Sequence, residues 1–210
     1  IKGMKYFLTF LLNLVIHLNI MSQDTRDALE VLNQMSDKYK KMNGFTSSFT
    51  YSMNNLSENI TDSFEGTISV KDEKYILLIE GQKIINDSKT VWTYLEDLNE
   101  VTISEFDPTE QEISLNNIFE IYKEGFTHKN IGEKDDLLNI EIYPDSDEKS
   151  YFKILFKINK SNLLESFTVF DKSNTLFIYT INNFIEEDLD LSLFTFIEKN
   201  YPGIEVIDFR

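Results

Sequence analysis

The chain has 210 residues, of which 41% are hydrophobic and 13% aromatic, and this is enough for one domain with a sizeable core. That composition excludes a disordered or fibrous protein. It contains no cysteine, which excludes disulfides, thiolate metal sites and thiol nucleophiles. With 36 acidic against 20 basic residues the net charge is −16, which disfavours binding to nucleic acids and to anionic membrane surfaces.

Residues 1–22 are typical of a secretory signal peptide whose translation start is Met4. Lys5 follows the start, an apolar run comes next, and the small residue Ser22 precedes the expected cleavage point. The alternative is a transmembrane anchor. The apolar run is shorter than the roughly 20 residues that a spanning helix needs, and polar residues interrupt its far end. We therefore expect residues 23–210 to form a single domain in an extracytoplasmic compartment.

The mature chain begins with apolar residues at helical spacing, which predict a helix over Asp24–Met42 with Asp24 as its N-cap. From Phe45 the period changes to two, and nine strands follow: 45–51, 64–70, 75–79, 91–96, 100–106, 137–143, 151–158, 164–170 and 175–184. A second helix is predicted over Ser114–Glu124 and a short helical turn over Asp188–Phe196. The pattern predicts an α+β fold: a strongly curved antiparallel sheet, or incomplete β-barrel, with helices covering its concave apolar side.

Two predicted strands, Tyr75–Ile79 and Thr175–Phe184, are apolar on both faces. One explanation is that helices cover the second face. The other is that part of this surface lines a cavity for acyl chains, since each methylene removed from water contributes about 0.8 kcal/mol.

The residues offer few groups for catalysis. After removal of the signal peptide His128 is the only histidine, and the sequence places it in a polar loop. The carboxylates of Asp145, Asp147 and Glu148 fit a solvated hairpin better than a calcium loop, because a glycine and a distal glutamate are missing. Nucleophile-elbow, zinc-protease and nucleotide-binding motifs are absent. We expect neither an enzyme nor a bound metal or cofactor.

Several segments resemble the periplasmic outer-membrane lipoprotein carrier (LolA-like) family. Phe45–Tyr51 is similar to that family's F-x-x-x-F-x-Q segment, and Gly66–Lys71 to its G-x-L-x-V-K strand. Ile84–Tyr94 resembles the I-V-S-D-G-K-T-x-W-x-Y signature, which is the most specific part. Phe194–Phe196 and Pro202–Asp208 are similar to the family's F-x-F and P-x-G-V-x-V-I-D ending.

The resemblance implies a carrier that takes triacylated lipoproteins from an inner-membrane ABC-type releasing complex to an outer-membrane receptor, as a monomer. Combined with the strand alternation, it predicts that the cavity and its lid are lined by apolar and aromatic side chains: Phe49, Tyr51, Ile68, Val70, Tyr75, Leu77, Ile79, Ile84, Trp92, Tyr94, Ile118, Phe119 and Tyr122. The alternatives are a lipid- or lipoprotein-sensing module of the same fold in envelope stress signalling, and an exported enzyme.

Two positions depart from the family pattern. Asp72 stands where the family commonly has arginine after the second strand, and Ile76 where arginine often follows the aromatic residue of the third. In the family a basic residue here helps to hold the helical lid closed. We therefore expect the lid of this protein to close mainly through apolar contacts.

Overall fold

A computed structural model of the chain describes residues 26–107, 113 and 117–210. The predicted signal peptide, residues 1–22, lies outside this range. Over the residues described, no helix has the length and apolar character needed to cross a membrane.

One α-helix, α1 (Ala28–Lys40), precedes the sheet. Its N-cap is Asp27, whose Oδ1 accepts hydrogen bonds from the backbone N–H groups of Leu29 at 2.9 Å and Glu30 at 3.2 Å. The predicted N-cap, Asp24, lies outside the described residues, and the helix begins four positions later than predicted, at Ala28. Both aspartates are acceptable capping residues, but only Asp27 directly precedes the first buried helical position, Ala28.

Twelve strands form a single open sheet in the described part of the chain. Their bounds are β1 (Phe45–Asn55), β2 (Ile60–Lys71), β3 (Lys74–Ile79), β4 (Gln82–Asn86), β5 (Thr90–Leu95), β6 (Glu100–Glu105), β7 (Phe126–Lys134), β8 (Leu137–Pro144), β9 (Tyr151–Ile158), β10 (Leu164–Asp171), β11 (Thr175–Glu186) and β12 (Glu205–Asp208). The order is β12-β6-β5-β4-β3-β2-β1-β11-β10-β9-β8-β7. Neighbours are antiparallel except β12 and β6, which are parallel. The predicted antiparallel sheet with a covering helix is confirmed.

All nine predicted strands are present, and β4, β7 and β12 are additional. The strand β7 is an edge strand with few apolar residues, and it contains His128, which the sequence analysis wrongly placed in a loop. The strand β12 is four residues long and depends on a partner about a hundred positions away, so its local pattern is weak.

The predicted second helix is wrong over the residues of 114–124 that the structure describes. Residues 117–120 form a turn, and Ile121–Lys123 form a single 3₁₀ turn. The predicted helical turn near the C-terminus is present as a 3₁₀ turn over Leu191–Phe194. Ile118 and Tyr122 of this segment are fully buried and Phe119 is half-buried, although the described residues do not form an α-helix.

The main core lies between α1 and one face of the sheet, which we call the inner face. On α1 the side chains of Val31, Leu32 and Met35 are fully buried. Opposite them, the inner face of β8–β10 supplies a filled apolar layer whose largest members are Ile140, Ile142, Ile154, Phe156 and Phe167.

A smaller core lies on the opposite, outer face of β4–β6, where Ile85 and Val101 are buried. The C-terminal segment that leads to β12 packs there: the ring of Tyr94 lies 4.5 Å from that of Tyr201 and 6.2 Å from that of Phe196. Apolar side chains on the second face of this part of the sheet are therefore covered by the C-terminal segment.

Candidate functional site

The strand register brings most of the predicted cavity residues to the inner face. Residues paired across neighbouring strands point to the same face, and Ile68 pairs with Leu77, which pairs with Ile84. By the same rule Val70 lies beside Tyr75. Seven of the predicted strand residues belong to the core under α1 or pack against it: Phe49, Tyr51, Ile68, Val70, Tyr75, Leu77 and Ile79.

Trp92 and Tyr94 were wrongly assigned to this surface. Trp92 pairs with Ile85 and Ile103, whereas the inner-face residue Ile84 pairs with Thr93. Both aromatic side chains therefore point to the outer face. Both faces of β5 carry apolar residues, so only the pairing with neighbouring strands shows which residues lie on the inner face.

The inner face is buried unevenly. Beneath α1 the residues of β8–β10 are inaccessible, but Val70, Tyr75, Leu77, Ile79 and Ile84 are only half-buried. Gly66 allows this region to pack closely, because a Cβ atom there would lie 2.6 Å from Cζ of Phe49 and 2.9 Å from Cγ2 of Ile79. Because these five side chains are only half-buried, the β2–β4 half of the inner face keeps accessible apolar surface.

The segment 117–123 lies beside α1 and covers part of this face. Ile118 and Tyr122 are fully buried, and the ring of Phe119 stacks on that of Tyr39 with 3.8 Å between centroids. The rings of Phe45 and Phe184 complete this aromatic cluster, at 5.4 Å and 5.6 Å from Tyr39. The predicted lid residues Ile118, Phe119 and Tyr122 are therefore brought to the cavity side, although not by a helix.

Tyr39 anchors the C-terminal end of α1 in this cluster. Its hydroxyl oxygen accepts a hydrogen bond from the backbone N–H of Leu164 at 3.2 Å. Burial of the phenol raises the pKa of Tyr39 far above its ordinary value, so the group is neutral at physiological pH. A neutral phenol suits an apolar environment.

Polar contacts also hold the segment 117–123 to α1, and the sequence analysis did not predict them. Ser36 Oγ donates to Glu120 Oε1 at 2.9 Å, and Lys40 Nζ lies 3.1 Å from the same oxygen. Glu120 also pairs with Lys123. The Tyr122 hydroxyl donates to Asn33 Oδ1 at 2.9 Å. The expectation of a mainly apolar closure therefore needs correction.

Glu120 is the centre of this polar tether. Partial burial alone would raise its pKa, but the hydrogen bonds from Lys123, Ser36 and Lys40 outweigh that effect and hold the pKa below its usual value. The carboxylate is therefore charged at neutral pH, as its contacts with the two lysines require.

The lysines of the β2–β3 hairpin have other roles. Lys71 Nζ donates to Asp188 Oδ1 at 2.8 Å and to the carbonyl oxygen of Leu189 at 2.5 Å, which fixes the start of the C-terminal segment. Lys74 donates to the carbonyl oxygen of Asp87 in the β4–β5 turn.

A cleft of about 630 Å³, which we call the first cleft, opens between the end of α1, the turn 117–120 and the β2–β3 hairpin. Apolar and aromatic side chains form much of its wall: Tyr39, Met42, Phe45, Val70, Tyr75, Phe106 and Phe119. Its rim is charged, with Lys40, Lys74, Asp72, Glu73 and Glu120. An apolar wall with a polar rim suits a ligand with an apolar chain and a polar head.

Other candidate groups have structural roles. Nε2 of His128 lies 2.7 Å from the carbonyl oxygen of Tyr122, which can only accept, so Nε2 carries the proton. Asp145 accepts a hydrogen bond from Thr127 at 3.0 Å next to the β8–β9 turn. Across residues 26–107, 113 and 117–210 no group of three or more histidine, aspartate or glutamate side chains could hold a metal ion.

Comparison with known proteins gives the family. The model of the family described as outer membrane lipoprotein carrier protein LolA matches residues 78–197, which is more than half of the chain. The chain belongs to this family, which confirms the resemblance. The matched range includes Asp87–Tyr94, the most specific motif, whereas the similar segments Phe45–Tyr51 and Gly66–Lys71 lie outside it.

Among similar solved structures, one supports the fold. An uncharacterized conserved protein from Thermus thermophilus superposes with a TM-score of 0.56 at 12% identity, over 87% of this chain and 99% of that one. A LolA superfamily protein from Nitrosomonas europaea gives 0.47 at 12% identity over 81% and 98%. A putative outer membrane lipoprotein-sorting protein domain from Vibrio parahaemolyticus gives 0.45 at 10% identity over 82% and 97%. No curated protein sequence matches the chain.

Proposed function

We propose that this protein is a periplasmic carrier that binds the acyl chains of lipoproteins and transfers them from the inner to the outer membrane. In this proposal the open sheet acts as a strongly curved half-barrel around the chains. An inner-membrane ABC-type releasing complex supplies the cargo, and an outer-membrane receptor accepts it. The protein binds and releases its cargo as a monomer and catalyses no reaction.

The observation that carries this proposal is the uneven burial of the inner face. Val70 and Tyr75 line the first cleft, Leu77 and Ile79 continue the same face on β3, and all four are half-buried, although the part of this face beneath α1 is filled. A partly exposed apolar surface of this kind is typical of a ligand-binding groove. Acyl chains fit it because each methylene transferred from water contributes about 0.8 kcal/mol.

Release of cargo requires that part of this binding energy is offset. The turn 117–120 is held by the buried side chain of Ile118, by one ring stack and by a few polar contacts, of which the Lys40–Glu120 pair is exposed to solvent. Displacing the turn to admit a chain breaks these contacts, and the net affinity falls by their free energy. A cover of moderate stability therefore makes transfer reversible.

Adjacent residues of β3 provide a sharp test, because Leu77 lies on the inner face with Ile68 and Tyr75, whereas Leu78 is exposed on the outer face. We expect Leu77→Glu to abolish binding of a fluorescent fatty acid, and Leu78→Glu to leave it unchanged, with the fold of both variants checked by circular dichroism. Equal binding by both variants, or equal loss in both, would place the ligand elsewhere.

The native cargo and the compartment need a second experiment. The tagged protein, recovered from the cell envelope and analysed by mass spectrometry, should carry several triacylated lipoproteins. Capture of a single regulatory protein would favour the sensing module instead. N-terminal sequencing of the same sample should show a chain that begins near Gln23, and an intact leader would contradict export with cleavage.

A further inference from the structure

A second cleft, of about 520 Å³, lies against the same turn and reaches β7, β8 and β9. Its apolar wall consists of Ile113, Ile121, Phe126, Pro144 and Tyr151, and its charged rim of Glu120, Glu124, Asp145 and Lys149. The rings of Phe126 and Tyr151 are nearly parallel, with centroids 6.5 Å apart. The second cleft therefore has the same kind of lining as the first, on different strands.

The turn 117–120 is the wall between the two clefts. Asn117 and Glu120 line both of them. This wall is anchored, because Ile118 is fully buried and Glu120 is hydrogen-bonded to Ser36 on α1. Two apolar grooves of comparable volume thus share one polar ridge.

We propose that the second cleft is a separate acyl-chain site, so that one cargo molecule places a chain on each side of the turn 117–120. The inference rests on the proposed function of the first cleft. The head that joins the chains lies across Asn117 and Glu120, where the rim is polar. A cargo with one chain fills one groove, and a cargo with two or more chains fills both.

Linked chains gain affinity without new contacts. Once the first chain is bound, the second is held near its groove at an effective concentration in the millimolar range. We therefore expect a synthetic diacylated lipopeptide to bind about a hundredfold more tightly than palmitate. Palmitate itself should bind with two molecules per protein, measured by equilibrium dialysis, and the lipopeptide with one.

Each groove can be filled separately with a tryptophan side chain. Val70→Trp fills the first cleft and Ile113→Trp the second, while Leu78→Trp on the outer face is the matched control. Each groove variant should bind one palmitate and lose about a hundredfold in affinity for the lipopeptide. The control should behave as the unmodified protein.

The possible failures are distinguishable. One palmitate per unmodified protein, or an Ile113→Trp variant that still binds two, would overturn the second site and leave the carrier proposal intact. Loss of all palmitate binding in both groove variants would mean one continuous site and would also overturn it. An unmodified protein that binds neither palmitate nor lipopeptide would refute the proposed function as well.

Discussion

Truncation of Phe119 tests whether the turn 117–120 is a cover that opens. Removing a fully buried phenylalanine side chain costs about 3–5 kcal/mol, and an aromatic pair adds about 0.5–1.5 kcal/mol to simple burial. The Phe119 ring stacks on Tyr39 but is only half-buried, so we expect Phe119→Ala to destabilise the closed turn by about 2 kcal/mol. The open population should then rise about thirtyfold.

The chain contains no cysteine, so two introduced thiols can be labelled without background. Fluorophores at Glu124→Cys and Glu80→Cys report the distance between the end of the segment 117–123, which forms the cover, and the β3–β4 turn. We expect a longer-distance population in Phe119→Ala and none in the control Phe209→Ala, because Phe209 is 72% exposed. Added salt should change the open population by no more than about fivefold, since exposed ion pairs contribute about 0.2–1 kcal/mol. Unchanged distances in Phe119→Ala, or opening dominated by salt, would refute this account of the closure.

Three further predictions concern the positions of Trp92, Glu120 and Asp27. Because Trp92 lies on the outer face, its emission should not shift when an acyl probe binds, whereas Leu77→Trp in a Trp92→Phe background should shift to the blue. The pKa of Glu120 is lowered in the closed protein, so its contribution to the closed state is present above the unfolded pKa and is lost as pH falls through the lowered pKa of the folded protein. The label distances should therefore show acid opening that Glu120→Gln largely removes. Asp27→Ala should lower the free energy of unfolding in urea by about 1 kcal/mol, since Asp27 caps α1.

Much of the sheet could be predicted because a half-buried strand carries its own signal. The alternation in β2 places Ile68 and Val70 on one face regardless of its partners. The edge strands lack such a signal: β12 has four residues, and β7 exposes most of its side chains. The strand β12 pairs with β6 about a hundred positions away, which no local pattern contains, whereas β7 pairs with the adjacent strand β8 but has too few apolar residues to show an alternation.

In the candidate site, too, some residues could be predicted from local patterns and others only from tertiary contacts. The inner-face residues of β1–β3 follow from alternation, but the face of Trp92 follows only from its pairing with Ile85. The Glu120 tether was missed for a related reason. Its partner Ser36 is 84 residues away, and a glutamate side chain is normally solvated. Contacts between α1 and the cover could be found only from tertiary structure.

In the proposed function, one half of the inner face stabilises the fold and the other half binds the cargo. Phe156 and Phe167 are fully buried beneath α1, so truncating either to alanine should cost about 3–5 kcal/mol. Leu77 lies in the half-buried part of the same face, where substitution removes fewer contacts and solvent is already near. A protein that filled both halves equally would be more stable and would have no apolar surface left for cargo. The sheet is therefore wide enough that one half holds the fold together and the other remains available to acyl chains.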